Sequence, residues 1–323
     1  MDAKNLKQLF AKFKNEDKCR EYLVQQRWGG IPKCPHCGST KSYVIENGKR
    51  FKCGNSECYK KYSVTVGTVF EASNIPLTTW FPAMYIIAAH KKGISSVQLA
   101  KDLGVTQKTA WFMLHRIREA LKEKNSILLQ DVVQADEVYI GGLNHNKHAE
   151  KKLTRKDGPM AGKTVVMGIM HQSGYVTTKV IPNVGQQPLA SFIREKVKPG
   201  TILVTDDHQP YKHLDGEYKH VVINHSQGNY GRGAFHTNTI EGFWAIFKRG
   251  YIGIYHYMSP KHLARYFDEF SYRYNYRKLT DGEKFTVNLS KLEGRLSYKM
   301  LVYGQGSKEI SQENTQALQA QGD

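Results

Sequence analysis

Four of the chain's five cysteines fall between residues 34 and 58, and this crowding constrains the fold more than any other feature. Cys34 and Cys37 form a Cys-x2-Cys pair, and Cys53 and Cys58 a Cys-x4-Cys pair. Two thiolate pairs, each on a tight turn and joined by short strands, are the layout of a zinc ribbon. Four sulfur ligands complete a tetrahedral, closed, structural site, so the spacing predicts one Zn²⁺ and no open catalytic position there. Gly38 and Gly54 each follow a cysteine, where a knuckle needs φ > 0. Asn47-Gly48 predicts a hairpin turn between the pairs. Cys19 is left over as a core or surface thiol. Clustered thiols without an N-terminal apolar leader fit a reducing, cytoplasmic setting better than a disulfide framework.

The chain has 323 residues, with 47 Lys and Arg against 29 Asp and Glu, a net charge of +18. That excess points to a polyanion, nucleic acid first. No apolar run is long enough to span a bilayer. Hydrophobic residues at 40% supply a core, which argues against global disorder. Residues 1–30 read as short amphipathic helices, 31–70 as the ribbon, and 74–125 as a helical module. Within the last, a helix with Leu99 and Ala100, a turn at Gly104 and a helix with Ala110 have the spacing of a helix-turn-helix, although an ordinary helical hairpin fits the same pattern. In the first reading Gln107, Lys108 and Thr109 reach base edges, while Lys91, Lys92 and Arg116 meet phosphates. DNA binding is then expected mainly before residue 125.

Residues 126–300 alternate strands and helices in the order three strands, helix, strand, short helix, strand, helices. That is the order of a ribonuclease-H-like α/β domain with a mixed central sheet, so the whole chain reads as multidomain α/β. The topology gives three acids a meaning. Asp136 lies along the first strand, Asp206 at the end of the fourth, and Glu241 in the first turn of the helix after the fifth. Converging carboxylates repel and are stable together only with cations, and hard oxygen donors suit Mg²⁺ or Mn²⁺. Taken singly, each acid has a structural reading: a strand-end charge, a turn residue beside Asp207, and the partner of Asn238 in a helix cap. The Gln-rich segment 304–323 is expected to be disordered.

At this point a family resemblance emerges. The runs CPHCGS, YSVTVGTVFE, DEVYIGG from Asp136, VTD ending at Asp206, and FHTNTIEGFWAIFKRGYIGIYH resemble DDE-type insertion-sequence transposases with an N-terminal zinc ribbon, over roughly residues 10–285. The resemblance implies a catalytic triad of Asp136, Asp206 and Glu241 holding two Mg²⁺ or Mn²⁺ ions, with cleavage at element ends and strand transfer into target DNA. It implies double-stranded DNA as partner (terminal inverted repeats and target), at least a homodimer on paired ends, and a DNA-associated place in a bacterial-type cytoplasm. It also implies a basic loop carrying Lys147, Lys151, Lys152 and Arg155. That loop, with His236 and Asn238, is expected to position DNA or support the triad; the loop could equally be a solvated charge run, and Asn238 a cap alone. The remaining alternatives are another ribonuclease-H-like nuclease and a non-catalytic zinc-ribbon/helix-turn-helix regulator.

Overall fold

The computed structural model describes residues 3–124, 127–142, 148–152, 154, 160–223 and 235–304. The chain divides into two compact units. One joins residues up to Ala89 with Ser96–Leu121 and the segment from Thr280 onward; the other holds His90–Ser95 and Lys122–Leu279.

In the first unit, α1 (Leu6–Lys12) and α2 (Glu16–Trp28) are each capped by an asparagine, Asn5 and Asn15, whose side-chain oxygens accept from backbone N–H groups of the first turn. Then come β1 (Ser42–Ile45), β2 (Arg50–Cys53) and β3 (Lys61–Tyr62), an antiparallel three-stranded sheet in that order. The turn between β1 and β2 runs through positive φ at Glu46, Asn47 and Gly48, as the Asn-Gly pair predicted. Helix α3 (Leu77–Ala89) is buried along most of its length. It contains Pro82, in its second turn.

Helices α4 (Ser96–Leu103) and α5 (Gln107–Leu121) follow. The turn between them starts at Gly104, whose φ of +65° places it in the left-handed region that glycine enters without strain. Thr106 caps α5 by accepting from the Thr109 N–H at 3.2 Å. Small Ala100 and Ala110 are buried where the two helices pack. The unit closes with α9 (Asp281–Ser290) and α10 (Tyr298–Tyr303). Helix α9 carries a capping box of Thr280 and Glu283. It packs on α3 through Phe285 against Phe81, and Asn288 donates to the Met84 carbonyl at 3.2 Å.

The second unit is built on β4 (Val132–Ile140), β5 (Thr164–His171), β6 (Val176–Ile181), β7 (Ile202–Asp206) and β8 (Lys219–Ile223). The strand order is β6-β5-β4-β7-β8, with β4, β5 and β6 antiparallel and β4, β7 and β8 parallel. This is the expected meander extended by two strands, with the first and fourth strands adjacent at the centre. Alternation along β4 sends successive residues to opposite faces. Val133 and Ala135 join the core under α6 (Gln186–Lys196). Val138 and Ile140 join the core under α7 (Asn238–Gly250) and α8 (Pro260–Asn275). With both faces covered, functional groups are left to the point where β4 runs on past the end of β7, and to the first turn of α7. Among the described residues, no helix is long and apolar enough to cross a membrane.

Candidate active site and metal centre

The ribbon gathers its four cysteines. The Sγ atoms of Cys34, Cys37, Cys53 and Cys58 all lie within 4.8 Å of one another. Cys34 is 3.9 Å from Cys58, and Cys37 is 3.5 Å from Cys53. The first knuckle has the expected form: Gly38 has φ +76°, and its N–H donates to the Cys34 carbonyl at 2.8 Å. The second differs. Gly54 does not have positive φ; a Cβ there would lie 2.7 Å from Lys41 Cγ and 3.0 Å from the Tyr43 ring. Close approach, not chirality, calls for that glycine, and the left-handed residue is Tyr59, just after Cys58. The longer Cys-x4-Cys spacing moves the tight point of the turn past the second ligand. Phe51, Tyr62 and Trp28 pack around the thiols.

In the second unit, Asp136 and Asp206 hold equivalent places on neighbouring strands. The parallel β4–β7 ladder pairs Gln134 with Val204 as its last pair, and each acid lies two residues beyond. Period-two alternation puts both acids on the face that carries α7. Asp136 is half-buried, and its carboxylate accepts from its neighbour's N–H, that of Glu137, at 2.8 Å and from Trp244 Nε1 at 3.0 Å. Burial raises its pKa to about 6, with the charges of Asp206 and Glu241 adding to the rise. Asp206 and Glu241 are therefore both close enough to act on Asp136. Among the described residues, however, only the four cysteines are drawn together as tightly as a metal's ligand shell. Asp207 is exposed, 4.0 Å from Lys212, and its charge is not among those that raise Asp136.

Sequence reasoning missed several groups around these acids. Gln134, buried two residues before Asp136, accepts from the Ile240 N–H at 3.0 Å and so ties the start of α7 to β4. Its amide lies 3.5 Å from His236 Nδ1, which gives that expected residue a contact. The cap of α7 requires a correction. Asn238 is the first helical residue and is exposed; Thr237 holds the cap position, and its hydroxyl donates to Glu241 Oε1 at 2.6 Å. Thr205, buried beside Asp206, donates from Oγ1 to the Asp206 carbonyl at 2.8 Å and lies 2.8 Å from His220 Nε2. His220 Nδ1 is in turn 2.8 Å from the Asp215 carboxylate. The ties of Gln134 to the start of α7 and of His220 to Thr205 have no local sequence signature, because each joins elements distant in sequence.

Gly168 pairs with Asp136 across β4–β5. A Cβ at that position would lie 2.6 and 2.7 Å from two atoms of the Trp244 indole, which is itself buried against Phe243 and Phe267. The missing side chain lets the indole lie over the strand and reach Asp136. Gly168→Ala should displace the ring, break its hydrogen bond to Asp136 and cost about 1–3 kcal/mol of stability through overpacking. Thermal unfolding of Gly168→Ala, with and without Trp244→Phe to relieve the crowding, checks this; an unchanged midpoint in the single variant would refute it.

Glu137 points to the other face, where Tyr211, fully buried in the turn after β7, donates its hydroxyl to it. Burial first, and then the charges of Asp136 and Asp206, push Glu137 up from 4.5 to about 8. A carboxyl raised in the folded chain binds its proton more tightly folded than unfolded. Its contribution to stability is therefore lost as pH rises from its ordinary range through about 8. Glu137→Gln keeps a partner for Tyr211 and removes this slope. The wild-type melting temperature should fall more steeply than the variant's between about pH 5 and 8; parallel curves would show that Glu137 does not titrate there.

The residues proposed to meet DNA are only partly brought together. Gln107 and Lys108 are exposed at the start of α5; Gln107 donates to Ser96 Oγ at 2.8 Å. Thr109 is half-buried and faces Thr106 at 2.9 Å. Arg116 differs from expectation. It is only 3% exposed, donates to the Glu71 carbonyl and lies over the Trp80 and Phe112 rings, so it does not stand ready at an outer phosphate. Lys91, Lys92 and Lys152 are exposed. Lys147, the Lys151 side chain and Arg155 lie outside the described residues, as does the segment from 305 onward.

Comparison with known proteins decides the family. Residues 128–275 match the ISXO2-like transposase domain, and residues 14–61 match the transposase zinc-ribbon domain. An uncharacterized transposase-like protein of Haemophilus influenzae is 37% identical over 101 residues, 31% of this chain and 80% of that protein. The chain belongs to the ISXO2-like insertion-sequence transposases with an N-terminal zinc ribbon. The transposase is also 25% identical over 252 residues to an uncharacterized protein in transposable element ISH50 of Halobacterium salinarum, covering 73% of this chain and 83% of the relative. Among solved structures it is similar to a chain of a pre-cleavage Mos1 transpososome at 15% identity, covering 67% of this chain and 80% of that one, with a TM-score of 0.23, too weak a likeness to bear on the fold.

Proposed function

We propose that this transposase cuts phosphodiester bonds at the ends of its element and joins the freed 3′ ends to target DNA, with Asp136, Asp206 and Glu241 as its metal-holding acids. The observation that carries this reading is that Asp206 and Glu241, from the neighbouring strand and the first turn of α7, both lie close enough to Asp136 to disfavour its charge. All-oxygen donors of this kind fit Mg²⁺ or Mn²⁺, not a soft metal. When bound, two such ions stabilise the attacking and leaving oxygens of an in-line displacement. The chain's own groups hold the acids for that task. Trp244 and the Glu137 N–H orient the Asp136 carboxylate, Thr237 fixes one oxygen of Glu241, and Thr205 pins the backbone at Asp206. His236 acts through Gln134 on the start of α7.

The four cysteines hold one structural Zn²⁺. Helices α4 and α5 act as a helix-turn-helix, with Gln107, Lys108 and Thr109 reading bases and exposed lysines, Lys91, Lys92 and Lys152 among them, meeting phosphates. Work on paired ends calls for at least two copies of the chain. The test is incubation of the zinc-loaded protein with a supercoiled plasmid carrying both element ends, with Mg²⁺ or Mn²⁺. Strand breaks mapped to the ends support the proposal. Binding to the ends with no break under any divalent cation would favour a non-catalytic regulator, and breaks unrelated to the ends a general nuclease.

A further inference from the structure

Beside the first turns of α5, Arg116 lines a cleft of about 390 Å³. That volume is at the lower end of the range for small-molecule sites, roughly 300–1,000 Å³. Its walls include three aromatic rings, Trp80, Phe112 and Tyr298, and two cations, Lys108 and Arg116; among the described residues no carboxylate lines it. Trp80 is buried, whereas Tyr298 is 41% exposed and meets the Phe112 ring edge-on with centroids 5.6 Å apart. The Lys108 ammonium lies 5.3 Å from the centre of the Tyr298 ring.

Arg116 is what makes this more than an apolar dent. It is 97% enclosed yet still charged at neutral pH, and its Nε has no hydrogen-bond partner among the described residues. A buried guanidinium N–H without an acceptor costs free energy that a bound acceptor would return. A simple inorganic anion would answer Arg116 and Lys108 but leave the rings unused. An aliphatic group would fill the rings' space but leave the cations unanswered. A nucleotide satisfies both, with a base against the exposed Tyr298 ring and polar or anionic oxygens toward Arg116 and Lys108.

We propose that this cleft binds a single unstacked nucleotide of DNA. A base stacked within a duplex presents only its edges, so to lie against these rings it must leave the stack or come from a single strand. The cleft adjoins Lys108 and Thr109, so a nucleotide seated there adjoins the helix assigned to duplex reading. The inference rests on the DNA-processing reading above, but the two fail separately in the following experiment.

Fluorescence anisotropy of the full-length, zinc-loaded protein is measured with labelled dT12 and with a labelled 12-base-pair duplex. Tyr298 is chosen because it is exposed and makes no part of the buried core. Tyr298→Ala should weaken dT12 binding about five- to hundredfold, the loss of one stacking partner, and change duplex binding less than twofold. Tyr298→Phe should retain wild-type binding to both. An unchanged dT12 affinity in Tyr298→Ala, or equal losses on dT12 and duplex, would overturn the cleft assignment, with the variant's melting temperature showing that it remains folded. A wild-type protein that binds dT12 but not duplex would instead count against the duplex-reading role of α5, while the Tyr298 comparison on dT12 would still decide the cleft.

Discussion

Asp206→Ala should lose end cleavage by on the order of 10³-fold or more, because in the proposed mechanism the acids act as one set and removing any member would misplace the cations held by the rest. Asp136→Ala and Glu241→Ala should fall as far, and double variants little further, since a unit already disabled has little left to lose. Folding should not suffer. Asp206 raises the pKa of both Asp136 and Glu137, so removing it relieves repulsion among buried carboxyls. The melting temperature without divalent cation should hold or rise, and binding to the element ends should persist. Asp207→Ala serves as the control. Asp207 is exposed and beyond the end of β7, and its loss should leave cleavage within about tenfold of wild type. The measurement is the rate of end-specific breaks in a supercoiled substrate with Mg²⁺ or Mn²⁺. Wild-type rates in Asp206→Ala would remove the proposed chemistry, and loss in Asp207→Ala alone would move one metal-holding position by a single residue.

The second large effect belongs to the ribbon. Cys53→Ser, or removal of zinc by a strong chelator, should unfold residues from about 31 to 66 while the five-stranded sheet remains intact. In small metal-bound modules the binding free energy, about 10–16 kcal/mol for structural zinc at neutral pH, is the folding free energy. The ribbon sheet is only three strands, one of them two residues long, and its cluster of buried side chains is chiefly Phe51, Tyr62 and the cysteines themselves. Such a core is too small to fold without its metal. Zinc content should fall from one ion per chain to less than half, and limited proteolysis should cut within the ribbon and spare the second unit. A protease-resistant ribbon without metal would contradict this account.

What could be read from residues alone was whatever local spacing dictates. Thiol spacing marked the ribbon, Asn47-Gly48 its turn, and the run of strands the order of the mixed sheet. Asp136 and Asp206 could be singled out because strand position and topology together set them level. What could not be read depends on long-range packing. An arginine two turns into α5 carries no mark that tells a buried guanidinium from a phosphate contact, and the aromatic walls enclosing Arg116 come from α3, α5 and α10. Trp244 reads as an ordinary apolar residue of α7; only the absence of a side chain at Gly168 turns its indole toward Asp136. The cap of α7 was misplaced by one residue because Thr237 and Asn238 are both competent caps, and what separates them is the tie from Gln134 on β4 to the helix start.

The first unit is not continuous in sequence. Phe285 and Asn288 of α9 complete the surroundings of α3, whose own residues are made some two hundred positions earlier. On a ribosome, α3 therefore waits for its last partner until nearly the whole chain has been synthesised, and the intervening segment, with every carboxylate of the proposed triad, folds between the two halves. A message cut short, or a chain released early, yields the ribbon and the α4–α5 pair without the helix that closes their unit. Prematurely ended products would thus carry α3 without its last packing partner, and the first unit reaches its full core only after the catalytic unit has been made.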